Sequence, residues 1–131
     1  MKPKYKLTDE TIEWNGLTLF RIEAVRDFAN IKRGDKGGFV EKESNLSHSG
    51  DAWVYDDAKV YDDAKVYDDA RIFNAWIFGN ARIFDEAWVF DAWVCDEAWV
   101  CGDAWVFNAW VRGDAWVCGH TPPTPTGKET L

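Results

Sequence analysis

Between residues 51 and 118 the chain repeats a short phrase: a small residue, a long residue, then Val or Ile. The copies run Ala52-Trp53-Val54, Ala58-Lys59-Val60, Ala64-Lys65-Val66, Ala70-Arg71-Ile72, Ala75-Trp76-Ile77 and Ala81-Arg82-Ile83. They continue through Ala87-Trp88-Val89, Ala92-Trp93-Val94, Ala98-Trp99-Val100, Ala104-Trp105-Val106 and Ala109-Trp110-Val111 to Ala115-Trp116-Val117. Successive residues of a strand point to opposite faces, so Ala and Val or Ile share one face and the long residues share the other. Lys59, Lys65, Arg71 and Arg82 decide which face is outside, because stacked unpaired charges cannot fill a narrow core. The pattern therefore predicts very short strands with Ala and Val or Ile inward. A fixed short period of this kind predicts a solenoid.

The intervals between the aliphatic positions are six, six, six, and then five, six, six in rotation. They predict coils of three strands, the first of eighteen residues and the later ones of seventeen. The shortened corner falls on Asn74, Asp91 and Asn108, where other corners use pairs such as Gly79-Asn80, Asp96-Glu97 and Gly113-Asp114. Asn, Asp and Gly are the residues that tolerate the positive φ of sharp corners.

Small-x-aliphatic phrases at this spacing resemble the hexapeptide-repeat left-handed parallel β-helix. The left hand is implied by that resemblance. The lead-in Gly37-Gly38-Phe39-Val40-Glu41-Lys42-Glu43-Ser44-Asn45-Leu46-Ser47-His48 is similar to that of small proteins of this family common in phages and prophages. The expected fold is all-β, a left-handed parallel β-helix over residues 51–119 with three strands per coil. Residues 29–50 are expected to form an irregular first coil, with Ile31, Val40 and Leu46 inward. Asn15-Gly16, between Thr11-Ile12-Glu13-Trp14 and Leu17-Thr18-Leu19-Phe20, is a type I′ hairpin signal. It predicts an N-terminal cap within residues 1–28, needed because a bare solenoid end is an unpaired sheet edge. Residues 120–131 contain three of the four prolines and form a tail. That tail either folds over the last coil or leaves the end to pair with another chain.

Stacking sorts the outer residues into columns. Trp53, Arg71, Trp88 and Trp105 make one, Lys59, Trp76, Trp93 and Trp110 a second, and Lys65, Arg82, Trp99 and Trp116 a third. Phe90 and Phe107 fall in a neighbouring column. This much aromatic surface exceeds the patch usual for a soluble monomer. The expected interaction surface is therefore Trp76, Trp88, Trp93, Trp99, Trp105, Trp110, Trp116, Phe90 and Phe107. A homo-oligomer, dimer or trimer, is expected to use it, with a host protein as a further partner.

Charge and chemistry narrow the classes. The net charge of −8 argues against nucleic acid. Lys4, Lys6, Arg26, Lys32, Arg33 and Lys36 read as ordinary basic surface. No apolar run spans a membrane, and the basic N-terminus leads into no signal-like segment, so a cytoplasmic protein without membrane association is expected. The resemblance to acyltransferases of the family does not extend to a catalytic His, because His48 and His120 both lie outside the regular coils. The His-ligated anhydrases need more histidines than two. No enzyme activity, cofactor or metal is expected. The alternatives are a degenerate acyltransferase-like trimer binding a small ligand, and a carbohydrate binder. Acidic corner columns, Asp69-Glu86-Asp103 and Asp63-Asn80-Glu97-Asp114, read as solubility features. Cys101 and Cys118 are seventeen residues apart in one column and are expected as neighbours, free thiols in a reducing cytoplasm and a disulfide on oxidation.

Overall fold

The computed structural model describes residues 3–119. It is all-β, a solenoid of about five turns of stacked parallel coils. Strand β1 (Tyr5–Trp14) pairs antiparallel with β2 (Leu17–Ala24) through a turn at Asn15 and Gly16, both at positive φ. Strand β3 (Lys36–Val40) follows, then a short 3-10 turn at Glu43–Asn45.

The regular region contributes twelve strands of two or three residues. One sheet stacks β4 (Trp53–Tyr55), β7 (Arg71–Phe73), β10 (Trp88–Phe90) and β13 (Trp105–Phe107). A second stacks β6 (Lys65–Val66), β9 (Arg82–Ile83), β12 (Trp99–Cys101) and β15 (Trp116–Cys118). The third stacks β5 (Lys59–Val60), β8 (Trp76–Ile77), β11 (Trp93–Val94) and β14 (Trp110–Val111). This third sheet continues past β5 through β3 to β2 and β1, so the hairpin extends one wall of the solenoid.

Strand pairing is in register at the repeat interval: Val54 meets Ile72, Ile72 meets Val89, and Val89 meets Val106. The inward Ala and Val or Ile positions are buried, except for partly buried Ala115. Ile31, Val40 and Leu46 join the same core. Ala is needed because the interior narrows at each corner, and a larger side chain would meet its stacked copies. Close approach also explains Gly37 and Gly38, where a Cβ would lie 2.6 Å from the Val54 carbonyl oxygen and 2.5 Å from that of Ala58.

Each corner carries one residue with positive φ, an Asp, Asn or Gly: Asp56, Asp62, Asp68, Asn74, Gly79, Asp85, Asp91, Asp96, Gly102, Asn108 and Gly113. The aspartates also tie coils together. The backbone N–H of Gly79 donates to Asp62, of Asp85 to Asp68, of Gly102 to Asp85 and of Gly113 to Asp96, at 2.9–3.2 Å. Where Gly occupies the corner it supplies no carboxylate for the coil above. Among the described residues no helix is long and apolar enough to cross a membrane.

Candidate functional site

The outer columns stack as flat ladders. Trp88 and Trp105 lie 5.1 Å apart at 5°, Trp93 and Trp110 4.6 Å at 17°, and Trp99 and Trp116 4.9 Å at 2°. Trp76 stacks on Trp93, and Phe90 stacks on both Phe73 and Phe107. Parallel stacking hides ring faces inside the ladder and turns ring edges sideways. An uncovered ring face therefore remains only at a ladder's end.

Exposure follows that rule. Trp76, Trp88, Trp93, Trp99, Phe90 and Phe107 are partly buried. Trp105, Trp110 and Trp116 are 39%, 48% and 67% exposed. They stand on β13, β14 and β15, the last strands of the three sheets among the described residues. At up to ~250 Å² per side chain they leave roughly 400 Å² of indole uncovered. Below them each coil donates backbone N–H groups forward: Trp88 to Ala104, Trp93 to Ala109 and Trp99 to Ala115. No described coil stands beyond β13, β14 and β15 to receive the equivalent donors.

The opposite end is closed, and differently from expectation. Trp53, placed in an outer column by the repeat, is only 1% exposed because Tyr5 and Phe28 meet its ring edge-on at 6.3 and 5.3 Å. Lys4, read from the sequence as basic surface, is fully buried. Its Nζ donates to the carbonyls of Ala52 at 2.7 Å and Gly50 at 3.2 Å and lies 5.0 Å from the Phe28 ring. These are carbonyls that a preceding coil would otherwise satisfy. Burial pulls the Lys4 amine down to about 8, opposed by the charge of Asp51. Buried Asn45 performs the same service elsewhere on the first coil. Its side chain donates to the carbonyls of Ala64 at 2.9 Å and Asp62 at 3.2 Å, and accepts from the N–H groups of Glu41 and Lys42. Nothing in the sequence pattern marks Lys4 or Asn45, because both plugs are made across long chain separations.

His48 belongs to the same closure. Its Nδ1 accepts from the Lys4 backbone N–H at 3.0 Å, which leaves the proton on Nε2 to donate to Glu43 at 3.0 Å. The ring stacks on Tyr5 at 4.2 Å. The Tyr5 hydroxyl donates to the Leu46 and Glu43 carbonyls, and burial raises it well above the usual tyrosine range. Both nitrogens of His48 are thus engaged in holding the cap. His120 and the tail, residues 120–131, lie outside the described residues.

Cys101 and Cys118 are joined in a disulfide, the form expected on oxidation. They are in-register partners on β12 and β15, with Cα atoms 4.4 Å apart, so the stacking itself places them within bonding reach. Cys95 is free. On the acidic edge the Glu86 carboxyl is pushed up by its hydrogen bond to Asp103 and by that neighbour's charge.

A comparison with protein-family models finds no match, and a comparison with curated proteins finds no relative.

Proposed function

We propose that this is a non-enzymatic assembly protein that binds a second copy of itself through its last coil. The observation that carries the reading is the concentration of exposed indole in that coil, beside a sheet edge with no described partner. A second copy fits this end better than its own opposite end does. The first coil is already plugged by Lys4, Asn45 and the hairpin, so head-to-tail stacking into a fibre is blocked. A two-fold arrangement of last coil against last coil is closed, and each edge supplies both donors and acceptors. The exposed indole amounts to about half of the ~800 Å² per partner of a standard interface, and corners and backbone edges supply the rest.

The finer architecture belongs to the same proposal. The coil is left-handed with three strands per turn, as the hexapeptide-repeat resemblance implies, and the seventeen-residue interval between paired strands supports the three strands per turn, though not the hand. The protein works in the cytoplasm, and the dimer presents its acidic, aromatic walls to a protein partner. The phage-like resemblance makes a host protein the candidate.

Solution mass by light scattering tests the reading on the whole chain. A dimer that Trp116→Lys converts to a monomer, with the β circular-dichroism signal retained, is the expected result. A monomer at all concentrations overturns it. So does a monomer that becomes a dimer when residues 120–131 are removed, because the tail would then be the natural occupant of the end.

A further inference from the structure

The regular coils carry five outward cations, and they fall into two groups. Lys59 lies 4.6 Å from the Trp14 ring and donates to the Asp57 carbonyl. Arg71 lies 5.3 Å from the Trp88 ring, and Arg112 lies 5.4 Å from that of Trp110. Lys65 and Arg82 are the exceptions. They are in-register neighbours on β6 and β9, so their backbones stand one strand spacing apart and two cationic side chains leave the same face. Neither side chain has a hydrogen bond, ion pair or ring contact among the described residues. Arg82 precedes Trp99 as Arg71 precedes Trp88, yet it makes no equivalent ring contact.

Like charges directly opposite on neighbouring strands are destabilising, and in a chain of net charge −8 an acidic neighbour would be the ordinary remedy. Two of the nearby carboxylates are occupied elsewhere, and Glu97 and Asp114, which share a groove with Arg82, make no ion pair with it. Asp63 pairs with Lys42 at 3.4 Å, and Glu43 with His48 at 3.0 Å. Lys65 and Arg82 line a groove of about 530 Å³ together with Glu43, Ser44, Ser47, His48 and Tyr67, so three hydroxyl side chains and one carboxylate share it with the two cations. Arg82 also borders the next groove along this wall, about 470 Å³, lined by Asn80, Glu97, Trp99, Asp114 and Trp116.

We propose that Lys65 and Arg82 form a binding site for a phosphate group, free or carried as a phosphate monoester on a small molecule. The guanidinium fork suits two phosphate oxygens and the ammonium supplies a point charge for a third. The hydroxyls of Ser44, Ser47 and Tyr67 are the available neutral donors. The bound dianion removes the repulsion between the two cations. The site uses β6 and β9, the first two strands of this sheet, and not the β15 strand that carries Trp116.

Calorimetric titration of the whole chain with inorganic phosphate and with glycerol phosphate, at physiological salt, tests the assignment. Saturable binding is expected, weakened at least tenfold in Lys65→Gln and in Arg82→Gln. Equal affinity for the two probes assigns the site to the free anion, and tighter ester binding assigns it to an organic phosphate. A second readout separates a binding role from a structural one. Without phosphate, either neutral variant is expected to melt ~1–4 °C higher than the parent chain, because it relieves the like-charge pair. With phosphate, only the parent chain gains. Absence of saturable binding, binding unchanged in the Lys65→Gln/Arg82→Gln double variant, or a lower melting temperature of the phosphate-free variants overturns the proposal.

Discussion

The two ends of this solenoid meet the same physical problem with opposite outcomes. Each interrupts a stack in which every coil satisfies its neighbour's backbone and covers its neighbour's rings. At the first coil, Lys4 and Asn45 take over the hydrogen bonds, and Tyr5 and Phe28 cover Trp53. At the last coil, Trp105, Trp110 and Trp116 stay exposed and no described coil lies beyond them. Trp53 and Trp105 occupy the same column, yet one is 1% and the other 39% exposed. What differs is what the rest of the chain brings to that end, so a repeat residue does not fix its own environment at the termini of the array.

The largest break in this comparison comes from Trp53→Ala. Removing a fully buried indole is expected to cost ~3–5 kcal/mol in urea unfolding, through lost transfer energy and the cavity left behind. The matching Trp116→Ala is expected to change monomer stability by under ~1 kcal/mol, since the ring is exposed and stacks on one side only. Equal losses at the two sites would mean that the ends are equivalent after all.

Reduction of Cys101–Cys118 is expected to act on one end alone. The bond closes a loop of seventeen residues, for which the chain-entropy estimate is ~3 kcal/mol. Hydrogen exchange should quicken over 105–118 while residues 52–66 keep their protection. Uniform loosening would contradict nearest-neighbour coupling in the stack.

Next in size is Lys4→Met, which leaves the Gly50 and Ala52 carbonyls without their donor and is expected to cost ~1–3 kcal/mol at neutral pH.

The smallest effect is a pH profile with opposing arms. Lys4 has a depressed folded value of about 8 against an ordinary 10.5, so over that window the unfolded chain holds more protons. Stability therefore rises with pH through the Lys4 contribution. Tyr5 is raised above its ordinary 10, so above that value the folded chain holds more protons and stability falls. Urea midpoints should climb from about pH 8 and turn down above 10. Lys4→Met should remove most of the climb and keep the fall, the remainder coming from Lys59, which burial also lowers, and an undiminished climb in the variant would assign it to a group other than Lys4.

Much of the molecule is legible in its sequence. The inward Ala and Val or Ile code, the position of every corner and the membership of every column follow from a period that must match the stacking interval. A one-residue slip would turn the whole apolar set outward. The adjacency of Cys101 and Cys118 was readable for the same reason, although their bonded state was not. The exposed subset of the aromatic columns was not readable, because column membership says which rings stack and not which ring stands last.

The sequence by itself determined the repeating core, since local alternation and a fixed period leave one way to bury the small and β-branched residues. Only the tertiary structure decided the ends and the charge pairing. It buried Lys4 and Trp53, engaged both nitrogens of His48, and left Lys65 and Arg82 facing each other while equivalent cations found rings. Those outcomes depend on contacts between residues far apart in the chain. There, no periodicity constrains the partner, and the desolvation of each group is set by whatever the fold carries to it.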